Sequence, residues 1–272
     1  MDNKKHLDWI PPDLPLDKPS PSRIYDCLLG GFHNLEIDRV VVEKLLENVP
    51  DLRLMALANR AFLRRVVRYL LSEGIDQFLD VGSGIPTAGN VHELVHAANP
   101  EAHVVYVDID PVAVAHSNAI LLDNPKATAM RADACDIEDL IQMPEVRRLI
   151  DFNRPLAVLF LSLLHYIVED EKAYHITRVV TQNVCAGSFI AISHPARDAV
   201  RQEIDESRDT FRKASNTKNR TIEEITRFFN GFEIVEPGLV YIPNWHPEGP
   251  DDLYLDNPRL AYSMGGVGIR RP

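Results

Sequence analysis

The chain is poor in the residues that staple a fold, cross a bilayer or grip a polyanion. Its 272 residues hold only three cysteines, Cys27, Cys135 and Cys185. They are far apart, odd in number and free of any CxxC spacing. That excludes a disulfide framework, argues against a zinc site and suits a reducing cytoplasm, so no metal is expected. No apolar run reaches the roughly 18 residues of a membrane span. The longest, Leu156 to Leu164, is interrupted by Ser162 and fits a buried strand. The opening MDNKKHLDWIPPDLPLDKP has no apolar region of the signal-peptide kind. Positive charge is also scarce: 29 basic against 40 acidic side chains give a formal net charge of -11. Such a surface repels phosphate backbones, so neither nucleic acid nor a membrane is the expected partner. Arg53, Arg60, Arg64 and Arg68 fall near one face of a predicted helix, read first as a solvated face and second as an anion site.

What remains is ordinary for a globular chain. Apolar residues make up 45% and charged residues 25%, enough for one α/β domain with an extension. Prolines at 11, 12, 15, 19 and 21 predict an extended arm over residues 1–22. Helices are expected from Arg23 to Leu29, capped by Ser22 and ended by Gly30-Gly31, then from Ile37 to Asn48 and from Asp51 to Ser72. From residue 75 the pattern alternates. Strands are expected at Gln77–Val81, His103–Val107, Ala127–Arg131, Leu156–Leu161 and Ser188–Ser193. Helices are expected between them at Thr87–Asn99, Pro111–Asp123, Glu138–Leu149 and Glu169–Val184. This alternation predicts a mostly parallel sheet covered on both faces. Beyond it come a polar helix (Ala196 to Ala214), a short helix (Thr221 to Asn230) and strands at Phe232–Val235 and Leu260–Val267, with a proline-rich stretch from Gly238 to Pro258.

The chemistry gathers at the strand ends. The first strand runs into Asp80-Val81-Gly82-Ser83-Gly84. Glycine allows a tight turn and a close backbone approach to a ligand, and the following helix offers free N–H groups. The dinucleotide fingerprint would place a third small residue at position 87, which is Thr, with Pro86 before it. A carboxylate at Asp80 would repel a pyrophosphate and attract a cationic amino group. Asp108 closes the second strand, 24 residues after Gly84, and can accept from ribose hydroxyls or cap the next helix. Asp133 and Ala134 follow the third strand, suited to an adenine amino group or to a turn. Leu161-Ser162 and His165 follow the fourth. One signal alone is weak; the ordered set along one sheet edge points to one ligand.

This set resembles the class I methyltransferases that use S-adenosylmethionine (SAM). The resemblance implies a Rossmann-like sheet of seven strands, mostly parallel with one antiparallel strand, preceded by an N-terminal helical extension. It implies domains at 1–72 (arm and helical cover) and 73–272 (cofactor domain). It implies cofactor contacts at Asp80, Gly82, Ser83, Gly84, Asp108, Ile109, Asp133, Ala134, Leu161 and Ser162, with S-adenosylhomocysteine as product. A narrower resemblance spans most of the chain. Arg23-Ile24-Tyr25-Asp26-Cys27-Leu28-Leu29-Gly30-Gly31, then Asn34 and Asp38, is similar to the signature of a bacterial SAM methyltransferase family of unassigned acceptor. Asn59-Arg60-Ala61-Phe62-Leu63 and Met264-Gly265-Gly266-Val267-Gly268 fit it too, while His33 departs from it. That resemblance places Tyr25, Gly30 and Gly31 in a lid over the cofactor, and makes Tyr25, His33 and His165 the candidate catalytic groups. The expected function is methyl transfer to a small molecule, in a monomer or homodimer. The alternatives are a SAM-binding regulatory module without turnover and a nicotinamide-dependent oxidoreductase; Asp80 and the absent third glycine count against the latter.

Overall fold

The computed structural model describes residues 16–85, 89–197, 217–249 and 252–272. Regular structure begins with α1 (Pro21–Leu28), α2 (Glu36–Asn48) and α3 (Leu52–Ser72). The cap of α1 is Ser20 rather than Ser22, because Pro21 takes the first helical position, where its missing N–H costs nothing. Ser22 is thereby freed to point at the second strand. Gly30, at φ 79°, stops the helix in the left-handed region.

Strands then alternate with helices. They are β1 (Gln77–Val81), β2 (His103–Asp108), β3 (Ala127–Arg131), β4 (Ala157–Leu161) and β5 (Phe189–Pro195). Between them lie α4 (Val91–Ala98), α5 (Pro111–Ile120), α6 (Ile137–Leu140), α7 (Pro144–Leu149) and α8 (Asp170–Asn183). The single helix expected over Glu138–Leu149 is two, because Pro144 cannot donate to the helix before it and instead opens α7. α9 (Ile222–Thr226) is capped by Thr221, with Glu224 returning the bond. The polar helix expected from Ala196 to Ala214 falls largely outside the described residues, as does the turn at 86–88.

The sheet runs β3-β2-β1-β4-β5-β8-β6, where β6 is Glu233–Ile234 and β8 is Ser263–Ile269. β1 to β5 pair in parallel, and β8 runs antiparallel to β5. An eighth strand, β7 (Val240–Tyr241), also pairs with β8 and brings the described sheet to one strand more than expected. It shares the outer edge of β8 with β6, and Pro237-Gly238 interrupts the edge between them; proline has no N–H for the ladder.

β1 and β4 are buried along their whole length, as strands covered on both faces must be. One face packs against α6 to α9 through Ile137, Leu149, Ile176 and Ile225. The other packs against α3 and α4 through Phe62, Val66, Leu70 and Val95. α1 and α2 build a smaller cluster with the start of α3, around Cys27, Leu28, Val42 and Ala56. The glycines of β8 serve this packing. A Cβ on Gly265 would stand 2.6 Å from the Phe62 ring.

The order reverses between β1 and β4, so the crevice at the carboxyl ends of these strands is the switch point where open α/β sheets bind ligands.

Candidate active site at the carboxyl edge of the sheet

A cavity of about 620 Å³ opens at this switch point, within the usual range for small-molecule sites. Its floor is the edge of the sheet and its roof is the helical cover. Asp80, Gly82, Ser83, Gly84, Asp108, Ile109, Asp133, Ala134, Leu161 and Ser162 all line it.

The β1 turn owes its shape to its glycines. Gly82 (φ 73°) and Gly84 (φ 66°) are left-handed. A Cβ on Gly82 would meet the Leu163 side chain at 2.5 Å, whereas one on Gly84 would meet nothing within 4 Å. Gly84 leaves open space for a ligand.

Asp108 braces that turn. One carboxylate oxygen accepts from Gly84 N at 2.7 Å and the other from Asp110 N at 2.8 Å, while the Ser22 hydroxyl lies 3.5 Å away. A carboxylate has about four acceptor positions, so further donors can still be received. Burial raises the Asp108 pKa even though these bonds favour the charged form. The cap of α5 is Asp110, which accepts from Val112 N and also from the Ser20 hydroxyl. Asp133 caps a 3₁₀ turn by accepting from Cys135 N at 2.8 Å.

Asp80 is the electrostatic outlier. It is buried, and desolvation raises its pKa to about 7, against the pull of Arg60 and with the help of Asp108. Arg60 comes from α3, lines the same cavity and donates to Asn90 Oδ1 at 3.0 Å. The arginine stripe therefore divides. Arg60 is buried at the cavity, while Arg68 is exposed and paired with Glu248.

A relay of neutral groups crosses the roof. Tyr25 donates its hydroxyl to Ala56 O at 3.2 Å and accepts from Asn59 Nδ2 at 3.1 Å. Asn59 Oδ1 accepts from Ser193 Oγ at 2.6 Å, and Ser193 Oγ accepts from Ser162 N at 2.9 Å. Ser162 is left-handed, at φ 53°, which turns the chain out of β4. Burial raises the Tyr25 pKa, so its proton stays in place.

His165 lines the cavity, and its Nδ1 is sealed from solvent with no hydrogen-bond partner among the described residues. Burial, then the neighbouring Arg220, lowers its pKa to about 3, so the ring is neutral. Arg220 is itself buried and holds the turn in shape by donating to Leu164 O and Ile167 O at 3.0 and 2.8 Å.

The remaining lid candidates stand elsewhere. Gly30 and Gly31 are not part of the cavity wall. Gly31 is small because a Cβ there would lie 2.0 Å from Asp26 Oδ1, so the reason is internal packing and not approach to a ligand. His33 also stands off the wall, its ring 3.7 Å from that of His116 and its Nδ1 3.8 Å from Asp26. Arg60, Asn59, Ser193 and Arg220 are site residues that spacing alone does not single out. Asn59 and Arg60 stood in the segment that fits the family resemblance, and Arg60 also in the arginine stripe.

This edge, with its glycine turn, its three strand-end carboxylates and its helical roof, defines a Rossmann-like nucleoside-binding protein of the methyltransferase type. The chain belongs to the S-adenosyl methyltransferase family, whose model matches residues 8–271. It is similar to a candidate methyltransferase of Thermobifida fusca, at 37% identity over 97% of this chain and 100% of that one, with a TM-score of 0.90. It is also similar to a DUF574 family protein of Streptomyces avermitilis, at 31% identity over 94% of this chain and 99% of that one, with a TM-score of 0.87. The N-methyltransferase NodS of Bradyrhizobium japonicum, solved with S-adenosylhomocysteine, shares the fold at 11% identity over 92% of this chain and 100% of that one, with a TM-score of 0.50. No functionally curated protein matches. SAM is the cofactor of the family and of this chain. The residues fit it: a buried carboxylate at Asp80, half protonated near neutrality, gains from an ammonium group beside it. No helix among the described residues is long and apolar enough to cross a membrane.

Proposed function

We propose that the chain transfers the SAM methyl group to a small-molecule acceptor held between the strand ends and the helical cover of α1, α2 and α3. The reading rests on one observation above all. The ends of β1, β2, β3 and β4, the first three with a carboxylate, open into the same cavity as α1, α2 and α3.

In this reading Asp108 accepts from the ribose hydroxyls, and the exposed Ile109 side chain (57% exposed) supports a face of the adenine. Asp133 and the Ala134 backbone meet the adenine edge. Asp80 receives the ammonium of the methionine part, and Arg60 its carboxylate. Gly82, Ser83 and Gly84 let the backbone lie against the ligand, and Leu161-Ser162 border the methyl.

When bound, the cofactor supplies a methyl carbon already activated by sulfonium. The protein has to orient the acceptor and exclude water. His165 takes the acceptor's proton. A weak base suffices, because the proton becomes strongly acidic only as the new bond to methyl forms. Tyr25 positions the roof and is not a base, since its own proton is committed to Ala56 O.

The test is calorimetric. SAM should bind the full chain at one site, and Asp108→Ala should weaken it roughly 10- to 100-fold by removing charge-assisted hydrogen bonds. Unchanged affinity would remove Asp108 from the site. Formation of S-adenosylhomocysteine with an acceptor separates turnover from mere binding.

A further inference from the structure

The cavity has two chemically distinct walls. Its charged lining residues among those described are Asp80, Asp108, Asp110 and Asp133, at or just beyond strand ends, Glu169 and Lys172 at the start of α8, and Arg60, which acts on Asp80. The opposite wall carries Ile24 and Leu28 of α1, Leu45 and Val49 of α2 and its end, and Leu52 and Met55 of α3. Two polar groups that the cover brings to the cavity, Tyr25 and Asn59, are neutral and bonded to each other.

We propose that this apolar wall receives a neutral hydroxyl compound with a hydrophobic body, a phenol or an apolar alcohol, and that its oxygen is the methyl acceptor. The proposal deepens the methyltransferase reading and depends on it. A carboxylate or an ammonium placed among these six side chains would be desolvated with no counter-ion, which is strongly unfavourable. A hydroxyl has a partner. The Tyr25 oxygen receives one hydrogen bond, from Asn59, and its second lone pair can accept from an incoming O–H. That bond leaves the acceptor's own lone pairs free. The oxygen pair then forms the O–CH3 bond as the S–CH3 bond breaks, the S–C electrons return to sulfur, and the hydroxyl proton, now strongly acidic, breaks its bond to Tyr25 and passes to His165. Charge balances, with a neutral methyl ether, neutral S-adenosylhomocysteine and one proton as products.

The experiment uses the full chain saturated with S-adenosylhomocysteine and titrates it with naphthol, naphthoate and naphthylmethylamine. Naphthol should bind saturably and roughly tenfold or more tightly than either charged analogue, the discrimination expected when a charge must be buried unpaired. Met55→Glu should cut naphthol affinity by roughly tenfold or more while S-adenosylhomocysteine affinity stays within about twofold. Leu45→Gln, a milder change, should move naphthol affinity in the same direction and carries the test if the first variant melts early. A charged analogue that binds as well as naphthol overturns the proposal, as does a chain that binds S-adenosylhomocysteine but not naphthol. Failure of the unaltered chain to bind S-adenosylhomocysteine overturns the methyltransferase reading instead.

Discussion

At the scale of single residues, Asp80 couples binding to stability. Burial raises its folded pKa to about 7, so between its ordinary value and neutrality the folded state holds more proton than the unfolded one. The contribution of Asp80 to stability therefore falls as pH rises through this window. Asp80→Asn should raise the ligand-free melting temperature at pH 8, by about 2–4 °C for each kcal/mol recovered in a domain of this size. Near pH 4 the advantage should vanish, and SAM affinity should fall at all pH values. Melting curves at several pH values, with and without SAM, read both effects. His165→Gln should leave SAM affinity near its original value and lower kcat by roughly 10²- to 10⁴-fold, the usual span for a lost proton acceptor. A fall in SAM affinity that matches the fall in kcat would recast His165 as a structural group. The strand-end residues were legible as an ordered set along one sheet edge, since each alone could equally cap a helix or a turn, as Asp133 does. Asn59 and Ser193 were not, since their partnership spans 134 positions of sequence and exists only once α3 lies over β5.

At the scale of elements, the family signature is a knot. Arg23 Nε donates to Asp38 at 2.6 Å, both side chains being buried. Asp38 also accepts from Ser20 N and Leu35 N at 3.0 and 2.8 Å. Asp26 accepts from His33 N and Asn34 Nδ2, each at 2.9 Å. α1 is only eight residues long and would not hold by itself, so these bonds set its pose over the cavity. Arg23→Ala strands a buried carboxylate and should destabilise the chain by about 3–5 kcal/mol in urea unfolding. The double replacement Arg23→Met with Asp38→Leu should recover part of that loss. Element positions were readable to within a few residues wherever periodicity was strong, as in α3 and β1. They failed where punctuation was subtle. Pro21 shifted a cap by two residues, and Pro144 split a helix. Two-residue strands such as β7 have too little pattern to show before β8 is in place.

At the scale of the whole molecule, the folded chain keeps three histidines uncharged. His116 is lowered to about 4 and His165 to about 3, both by burial first, and His194 well below its ordinary value for the same reason. Below pH 6.5 the unfolded chain protonates all three while the folded chain resists. Their contribution to stability is therefore full above that pH and declines as pH falls toward 4, and three such groups outweigh the opposite trend of the single carboxyl of Asp80. A melting temperature that fails to drop between pH 7 and pH 5 would contradict this. The mostly parallel sheet was legible in the strand–helix alternation, whereas the strand order and the way the cover lies on the body depend on contacts far apart in sequence. One such contact has a consequence for binding. α1 reaches the end of β2 through Ser20 to Asp110 and Ser22 to Asp108. A ribose seated on Asp108 shares a carboxylate with Ser22, so the nucleoside and the roof answer to the same group. The wall that would greet the acceptor hangs from that roof. On the proposed reading the methyl donor and the second substrate are thus linked through α1, so that each should alter the other's affinity by the same factor.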